Sequence, residues 1–151
     1  MKRIIPLCAA ALLLAGCAEG VLDHDNGRWL VTDKAGGETD YELSGQVLFS
    51  PGSADLSPRA YDLVAKVAAD AKRRAKARIE VQGFTDTAGN RDQNFTLSQA
   101  RAEHVADVLV RHGISAKRIT ARGYGEDNLL VKTRDGVSDP RNRRVVIKLI
   151  G

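Results

Sequence analysis

Cysteine is scarce in this chain of 151 residues, and its two cysteines, Cys8 and Cys17, both lie near the amino terminus. The rest of the sequence therefore offers no cysteine pair for a disulfide. Zinc sites use cysteine or suitably spaced histidine ligands, and His24, His104 and His112 lack that spacing. We predict neither a metal site nor a cofactor.

The sequence also lacks an apolar run long enough to cross a bilayer. Residues 4–14 form an apolar stretch, whereas a membrane-spanning helix needs about 20 apolar residues. Lys2 and Arg3 precede this stretch, and the sequence Leu-Ala-Gly-Cys at residues 14–17 ends it. The pattern resembles the signal peptides of bacterial lipoproteins. The resemblance implies that residues 1–16 are cleaved off and that Cys17 receives lipid.

This resemblance also implies a location. In bacterial lipoproteins an acidic residue just after the cysteine favours retention in the inner membrane, and Ala18 stands there in this chain. We therefore expect lipid anchoring in the cell outer membrane, with the folded domain in the periplasm. Stable anchoring takes more than one acyl chain, which a multiply acylated cysteine provides.

A strong excess of charge of one sign is missing as well. The whole chain has a net charge of +4. Cleavage would remove Lys2 and Arg3, leaving 21 basic and 19 acidic residues and a net charge of +2. So small a positive charge gives no support for nucleic-acid binding.

Residues 17–40 are mostly polar and contain Asn26-Gly27 and Gly36-Gly37. This composition predicts a lipidated amino terminus followed by a flexible tether. A brief apolar patch begins at Trp29, and the sequence leaves open whether that residue packs on the domain or pairs in a short strand. Residues 41–151 are long enough to form one domain with its own core.

Strand and helix patterns alternate within residues 41–151. Ser57 followed by Pro58 predicts the start of one helix, and Gly113 followed by Ile114 predicts the end of another. The full prediction is strands at 41–49, 78–84, 118–124 and 145–150, with helices from residue 58 to a basic cluster at 72–78 and from about 94 to 112. This βαβαβ order with a final strand predicts an α+β fold, with helices on one mixed β-sheet.

Arg101 is the clearest anomaly in this pattern. At 100° per residue it projects between Leu97 and Val105, inside the apolar stripe of its helix. A buried guanidinium without an anionic partner is costly, so an anion is expected beside it. Asp86, in the loop that precedes the helix, is the obvious internal partner. The residue pattern leaves two alternatives open, an internal ion pair and a ligand-binding site.

Two motifs resemble those of the OmpA-like peptidoglycan-binding domain, which outer-membrane porin tails, Pal lipoproteins and flagellar stator proteins share. They are Gly-Phe-Thr-Asp-Thr-Ala-Gly at residues 83–89 and Asn-Arg-Arg-Val at residues 142–145. Further matches lie in order between them, and the resemblance covers roughly residues 45–150. It implies a two-layer βαβαβ-β fold that binds peptidoglycan.

The resemblance also implies a site. Asp86 and Arg101 would bind the diaminopimelate of the peptidoglycan stem peptide, because its free end carries an ammonium and a carboxylate. Lysine at the same stem position lacks that carboxylate and would leave Arg101 without its partner. The family positions that support this site, by hydrogen bonds, by apolar contact or by proximity, correspond to Thr85, Asn94, Leu97 and Arg143.

The chain departs from the family pattern at Ser50, where an acidic residue is common, and in the loop at 135–141. We predict no catalytic residue, because no serine has a histidine and an acid at recognisable spacing. The alternative function is an envelope interaction protein of the Pal type, in which Asp86 and Arg101 pair only with each other and other envelope proteins are the partners.

Overall fold

The computed structural model describes residues 20–24, 29–50 and 53–151, the first of these ranges as backbone only. The predicted signal peptide and the predicted lipidation site at Cys17 lie outside these residues. Among the residues described, no helix is both long enough and apolar enough to span a membrane.

A six-stranded mixed sheet forms one layer of the fold, in the order β1-β2-β3-β6-β4-β5. All neighbouring strands are antiparallel except β4 and β5, which are parallel. The strands are β1 (Gly20–His24), β2 (Trp29–Asp33), β3 (Thr39–Ser44), β4 (Arg78–Phe84), β5 (Ile119–Gly123) and β6 (Arg144–Ile150).

Two long helices form the other layer, and the sequence places their ends. The two long helices are α2 (Pro58–Arg73) and α3 (Arg91–Arg111). A single helical turn, α1 (Gly45–Leu48), follows β3, and a 3₁₀ turn at Ala116–Arg118 precedes β5. Ser57 caps α2 by accepting a hydrogen bond from the Ala60 amide at 3.1 Å. Gly113, at φ +87°, ends α3 in a Schellman motif, in which the Ile114 amide donates to the Leu109 carbonyl.

The core lies between the helices and one face of the sheet. Alternate residues of the central strands point inward, and the apolar faces of α2 and α3 cover them. The largest fully buried side chains are Leu43, Leu48, Val64, Val67, Ile79, Val81, Val105, Val108, Leu109, Val145, Ile147 and Leu149. The predicted α+β architecture is confirmed.

The tether prediction is wrong for the part of residues 17–40 that pairs in the sheet. Trp29 pairs with Leu43 across β2 and β3, and its ring stacks on Tyr41 with centroids 6.0 Å apart. Residues 29–32 are Trp-Leu-Val-Thr, an apolar run of residue types that favour strands, and Val31 is buried in the sheet although polar residues flank the run. The question left open for Trp29 is answered, since it both pairs and packs.

The first predicted strand is also too long. It ends at Ser44, and residues 45–48 form the single turn α1 instead of continuing to residue 49. The Gly45 amide donates to the Arg143 carbonyl at 2.8 Å. A Cβ atom at position 45 would lie 2.8 Å from that same oxygen, so only glycine fits this approach. The chain therefore turns here, toward the loop that precedes β6.

Replacing Leu109 with alanine tests the core. Leu109 is fully buried on α3, so the substitution should lower the free energy of unfolding by about 2–5 kcal/mol. Urea denaturation at neutral pH measures this change. The neighbouring Val110 is 41% exposed, and Val110→Ala should change stability by no more than about 0.5 kcal/mol. Equal losses in both variants would contradict the packing described for α3.

Candidate functional site

One cavity of about 460 Å³ opens where the end of β4, the start of α3, the α1 turn and the loop before β6 meet. All six predicted binding residues line this cavity. They are Thr85, Asp86, Asn94, Leu97, Arg101 and Arg143. The sequence therefore identified a set of residues that the fold brings together from three separate segments.

Close contact between α3 and the sheet places the helical residues of the site. A Cβ atom at Gly83 would lie 2.2 Å from the Ser98 carbonyl oxygen, and one at Gly123 would lie 2.3 Å from the Gln99 amide nitrogen. Any side chain at either position would push the helix away. The Ser98 hydroxyl also accepts a hydrogen bond from the Gly125 amide at 2.8 Å. These contacts fix the first half of α3 against β4 and β5.

Asp86 is held by a cluster of hydrogen bonds. Its Oδ2 atom accepts from Arg143 Nη1 at 2.6 Å, from the Ser138 hydroxyl at 3.0 Å and from the Asp139 amide at 3.1 Å. Its Oδ1 atom accepts from the Ala88 amide at 3.3 Å and from no other donor in the described part of the chain. Although Asp86 is 95% buried, Oδ1 therefore keeps capacity to accept a further donor.

Arg101 is buried and forms no ion pair with any residue that the structure describes. Its Nε donates to the Ser53 carbonyl at 3.0 Å, and its guanidinium lies over the Phe49 ring, 4.7 Å from the centroid. Burial lowers the pKa of Arg101, and the nearby charge of Arg143 lowers it further, while Asp86 acts in the opposite direction. Within the described residues, both Nη atoms of Arg101 lack a hydrogen-bond partner.

The internal ion pair between Asp86 and Arg101, one of the two alternatives that the residue pattern left open, is not formed. Asp86 pairs with Arg143, which bridges the loop after β4 to the residues before β6. Arg143 was expected only near the site, and it is in fact the partner of the acidic residue. The sequence could not distinguish the two arginines, because both are distant from Asp86 along the chain and either could have met it.

Thr85 and Asn94 have different roles in the cavity. Thr85 Oγ1 is buried and has no hydrogen-bond partner among the described residues, although its amide donates to the Gly125 carbonyl at 2.7 Å. The Asn94 side-chain amide donates to the Asp86 and Ala88 carbonyls at 3.3 and 3.1 Å. Thr85 therefore has an unused polar atom, and Asn94 holds the loop in place. Leu97 forms a partly buried apolar wall.

The loop before β6 adds residues that the sequence analysis did not find. Ser138 lines the cavity and donates to Asp86. Arg141 donates to the Asp139 carboxylate from Nε at 2.9 Å and from Nη2 at 2.6 Å. This two-bond ion pair between Asp139 and Arg141 is called the clasp below. Asn142, the first residue of the motif at 142–145, exchanges two hydrogen bonds, each 2.8 Å long, with the backbone of Val131. The only signal for this loop was its departure from the family pattern at residues 135–141.

The α1 region contributes the opposite wall. Gly45, Gln46, Phe49 and Ser50 all line the cavity. Their presence follows from the turn at residue 45, which the sequence analysis treated as a continuous strand. Ser50 places a short neutral side chain where an acidic residue is common in the family, so Asp86 is the only carboxylate among the lining residues.

The cavity can therefore bind a compact ligand with opposite charges. Arg101 offers two free Nη atoms in a planar fork that suits a carboxylate. Asp86 Oδ1 can accept from an ammonium, and Thr85 Oγ1 can exchange a hydrogen bond with a polar group. Because Arg101 and Asp86 are both buried, their contacts to a ligand would be poorly screened by salt.

Comparison with protein families finds one match over much of the chain. The model described as the OmpA family matches residues 48–143. That range includes all six predicted site residues. Of the residues that line the cavity, Gly45 and Gln46 lie outside it.

Two relatives show how the similarity extends along the chain. The Escherichia coli K12 protein named "Probable lipoprotein YiaD" is 32% identical over 127 residues, which cover 84% of this chain and 58% of YiaD. The peptidoglycan-binding protein ArfA of Mycobacterium tuberculosis H37Rv is 34% identical over 103 residues, covering 68% of this chain and 32% of ArfA. The matched regions are less than two thirds of either relative.

Two solved structures illustrate the shared fold. The cell wall anchor of the type VI secretion system from Pseudomonas aeruginosa superposes with a TM-score of 0.70 at 32% identity, covering 83% of this chain and 89% of that one. The OmpA-like domain of FopA1 from Francisella tularensis superposes with a TM-score of 0.66 at 22% identity, covering 91% and 90%. The latter likeness shows the fold alone.

The clasp between Asp139 and Arg141 should make stability depend on pH. Arg141 lowers the pKa of Asp139 from 3.8 to about 2. Between about pH 2 and pH 3.8 the folded protein therefore holds fewer protons than the unfolded chain. The stabilisation from this ion pair is complete above that range and is lost as pH falls through about 2. Asp139→Asn should be less stable than wild type at pH 7, and the difference should disappear near pH 2.

Urea denaturation between pH 7 and pH 2 measures this difference. Asp135→Asn is the control, because Asp135 is exposed in the same loop. A stability difference for Asp139→Asn that is the same at every pH would show that the clasp does not act through the charge of Asp139.

Proposed function

Because the chain belongs to the OmpA family, we propose that it binds peptidoglycan without forming a covalent bond, through the diaminopimelate of the stem peptide. Similarity to ArfA, which is named as a peptidoglycan-binding protein, and to the cell wall anchor supports this class of ligand. The finer identification of diaminopimelate rests on the chemistry of the cavity.

The observation that carries the proposal is the state of Arg101. Its side chain is 95% buried on an apolar helix face, faces an open cavity and has no carboxylate within ion-pair distance among the described residues. A buried guanidinium in this state is costly unless a ligand completes it. A ligand carboxylate is the natural partner, because it can accept two parallel hydrogen bonds from the fork.

Asp86 supplies the second half of the recognition. Arg143, Ser138 and the Asp139 amide fix its carboxylate and occupy Oδ2, so the ligand ammonium binds at Oδ1. Diaminopimelate presents an ammonium and a carboxylate on one carbon, which suits two opposite charges in one cavity. Thr85 lines the same cavity, and its buried Oγ1 atom has no hydrogen-bond partner among the described residues.

The proposed action is adhesion between two parts of the envelope. Lipid on Cys17 would hold the protein in the outer membrane, and the folded domain in the periplasm would hold the cell wall. Similarity to a protein named as a lipoprotein supports this location. Anchoring presents the wall at a high local concentration, so a modest affinity for each stem peptide is enough. No bond in the wall is made or broken.

Substitution of Arg101 tests the proposed ligand. Arg101→Gln should weaken binding to diaminopimelate-type peptidoglycan by roughly 10- to 100-fold, because the charged hydrogen bonds to the carboxylate are lost. Sedimentation with purified sacculi measures this binding, and circular dichroism checks the fold. Arg111→Gln is the matched control, because Arg111 is exposed at the other end of the same helix.

Free diaminopimelate should compete for binding by the wild-type protein, and peptidoglycan with lysine at the same stem position should bind more weakly. Equal binding of Arg101→Gln and wild type to sacculi would refute the assignment of this cavity to the wall peptide. Retention of binding to lysine-type walls at full strength would refute the role of the carboxylate.

Substitution of Cys17 tests the anchor. Cys17→Ser should abolish incorporation of labelled palmitate in cells and should release the protein from the outer-membrane fraction, because the thiol that carries lipid is absent. Cys8→Ser is the control, since Cys8 lies within the predicted signal peptide and should not affect either measurement. Undiminished labelling of the Cys17 variant would show that lipid is attached elsewhere.

A further inference from the structure

The charges that line the cavity do not balance. Among the described residues that line it, Arg101 and Arg143 are positive and Asp86 alone is negative. Asp86 and Arg143 neutralise each other through their ion pair at 2.6 Å. A bound zwitterion adds no net charge, so one positive charge stays without compensation when the end of diaminopimelate is in place.

Arg143 has the donors to use this excess charge. Its Nη1 atom donates to Asp86 and, at 2.8 Å, to the Ser138 hydroxyl. Its Nε and Nη2 atoms lack hydrogen-bond partners in the described part of the chain, and its side chain is 28% exposed. Arg143 also lines a smaller neighbouring cavity of about 270 Å³, so its guanidinium stands at the border between the two spaces.

We propose that Arg143 binds a second carboxylate of the same wall peptide, in addition to the zwitterionic end held by Asp86 and Arg101. This inference rests on the proposed function and specifies its ligand further. The stem peptide contains two carboxylates that qualify. One is the carboxyl terminus of diaminopimelate in a stem that ends there, and the other is the α-carboxylate of the γ-linked glutamate that precedes it.

The ligand-bound site then contains two guanidiniums and three carboxylates, with one ammonium. Positive and negative charges are equal, which a low-dielectric cavity requires far more strictly than an exposed surface does. Ser138 contributes by holding the Nη1 side of Arg143 against Asp86, which leaves the other edge of the guanidinium free for the ligand. Ser138 is therefore a positioning residue for this second contact.

Four soluble tripeptides test the proposal. They are the stem tripeptide that ends in diaminopimelate, the same peptide with that terminal carboxyl amidated, the same peptide with the glutamate α-carboxyl amidated, and the peptide with both groups amidated. Calorimetry measures their affinities for the wild-type protein. Amidation of the carboxyl group that contacts Arg143 should weaken binding about tenfold, and amidation of the other should change it little.

The pattern identifies the source of the second carboxylate. Weaker binding after amidation at the terminus assigns it to diaminopimelate, and weaker binding after amidation of glutamate assigns it to glutamate. Affinities within about twofold across all four peptides would overturn the second contact while leaving the proposed function intact. Failure of all four peptides to bind would refute the proposed function and this inference with it.

Variants of Arg143 complete the test. In Arg143→Gln the four peptides should bind equally, whatever their absolute affinity, because the group that distinguishes them is gone. Arg134→Gln is the control, since Arg134 is exposed in the same loop and does not line the cavity, and it should keep the wild-type preference. A preference that persists in Arg143→Gln would overturn the assignment. Arg143→Lys, which keeps the charge but not the fork, should retain part of the preference and serves if the glutamine variant does not fold.

Discussion

The ion pair between Asp86 and Arg143 holds together the parts of the molecule that matter for binding. It joins the loop after β4 to the residues before β6, and it fixes the carboxylate that faces the cavity. Its formation has a second effect: with Asp86 engaged, Arg101 has no anionic partner among the residues described. The fold thus gives the half-buried Arg143 a carboxylate partner and leaves the buried Arg101 without one among the described residues. The proposed recognition of a zwitterion depends on this unequal distribution of partners.

The positions of the helices and strands around the ion pair are fixed at several points by direct contact between backbone atoms of neighbouring segments. Glycine at positions 83 and 123 lets α3 lie directly against β4 and β5, and glycine at position 45 lets the chain turn under the loop before β6. The contact at Gly45 sets the distance between α1 and the residues before β6, and the contacts at Gly83 and Gly123 set the position of α3, which carries part of the cavity lining. The geometry of the site is therefore a property of the whole sheet, and substitutions at these glycines would act on it from a distance.

Much of the fold was predictable because its signals are local. Ser57 with Pro58 and Gly113 with Ile114 mark helix ends through contacts within a few residues, and the boundaries of β4 follow from alternation over residues 78–84. The site residues were found through family motifs. The choice of Arg143 over Arg101 as partner of Asp86, and the entry of Ser138, depend on long-range packing that no local pattern encodes. The sequence left the strand at Trp29 undecided, because short strands owe their stability to their neighbours.

Because β1 pairs with β2, the segment between Cys17 and the sheet is shorter than the tether predicted over residues 17–40. Since β1 begins at Gly20, only three peptide units separate it from Cys17, and a fully extended chain gains at most about 3.6 Å per residue. A domain lipidated at Cys17 would consequently sit within roughly 11 Å of the lipid headgroups. If the domain also binds the cell wall as proposed, so short a connection would hold the wall close to the inner surface of the membrane that carries the lipid.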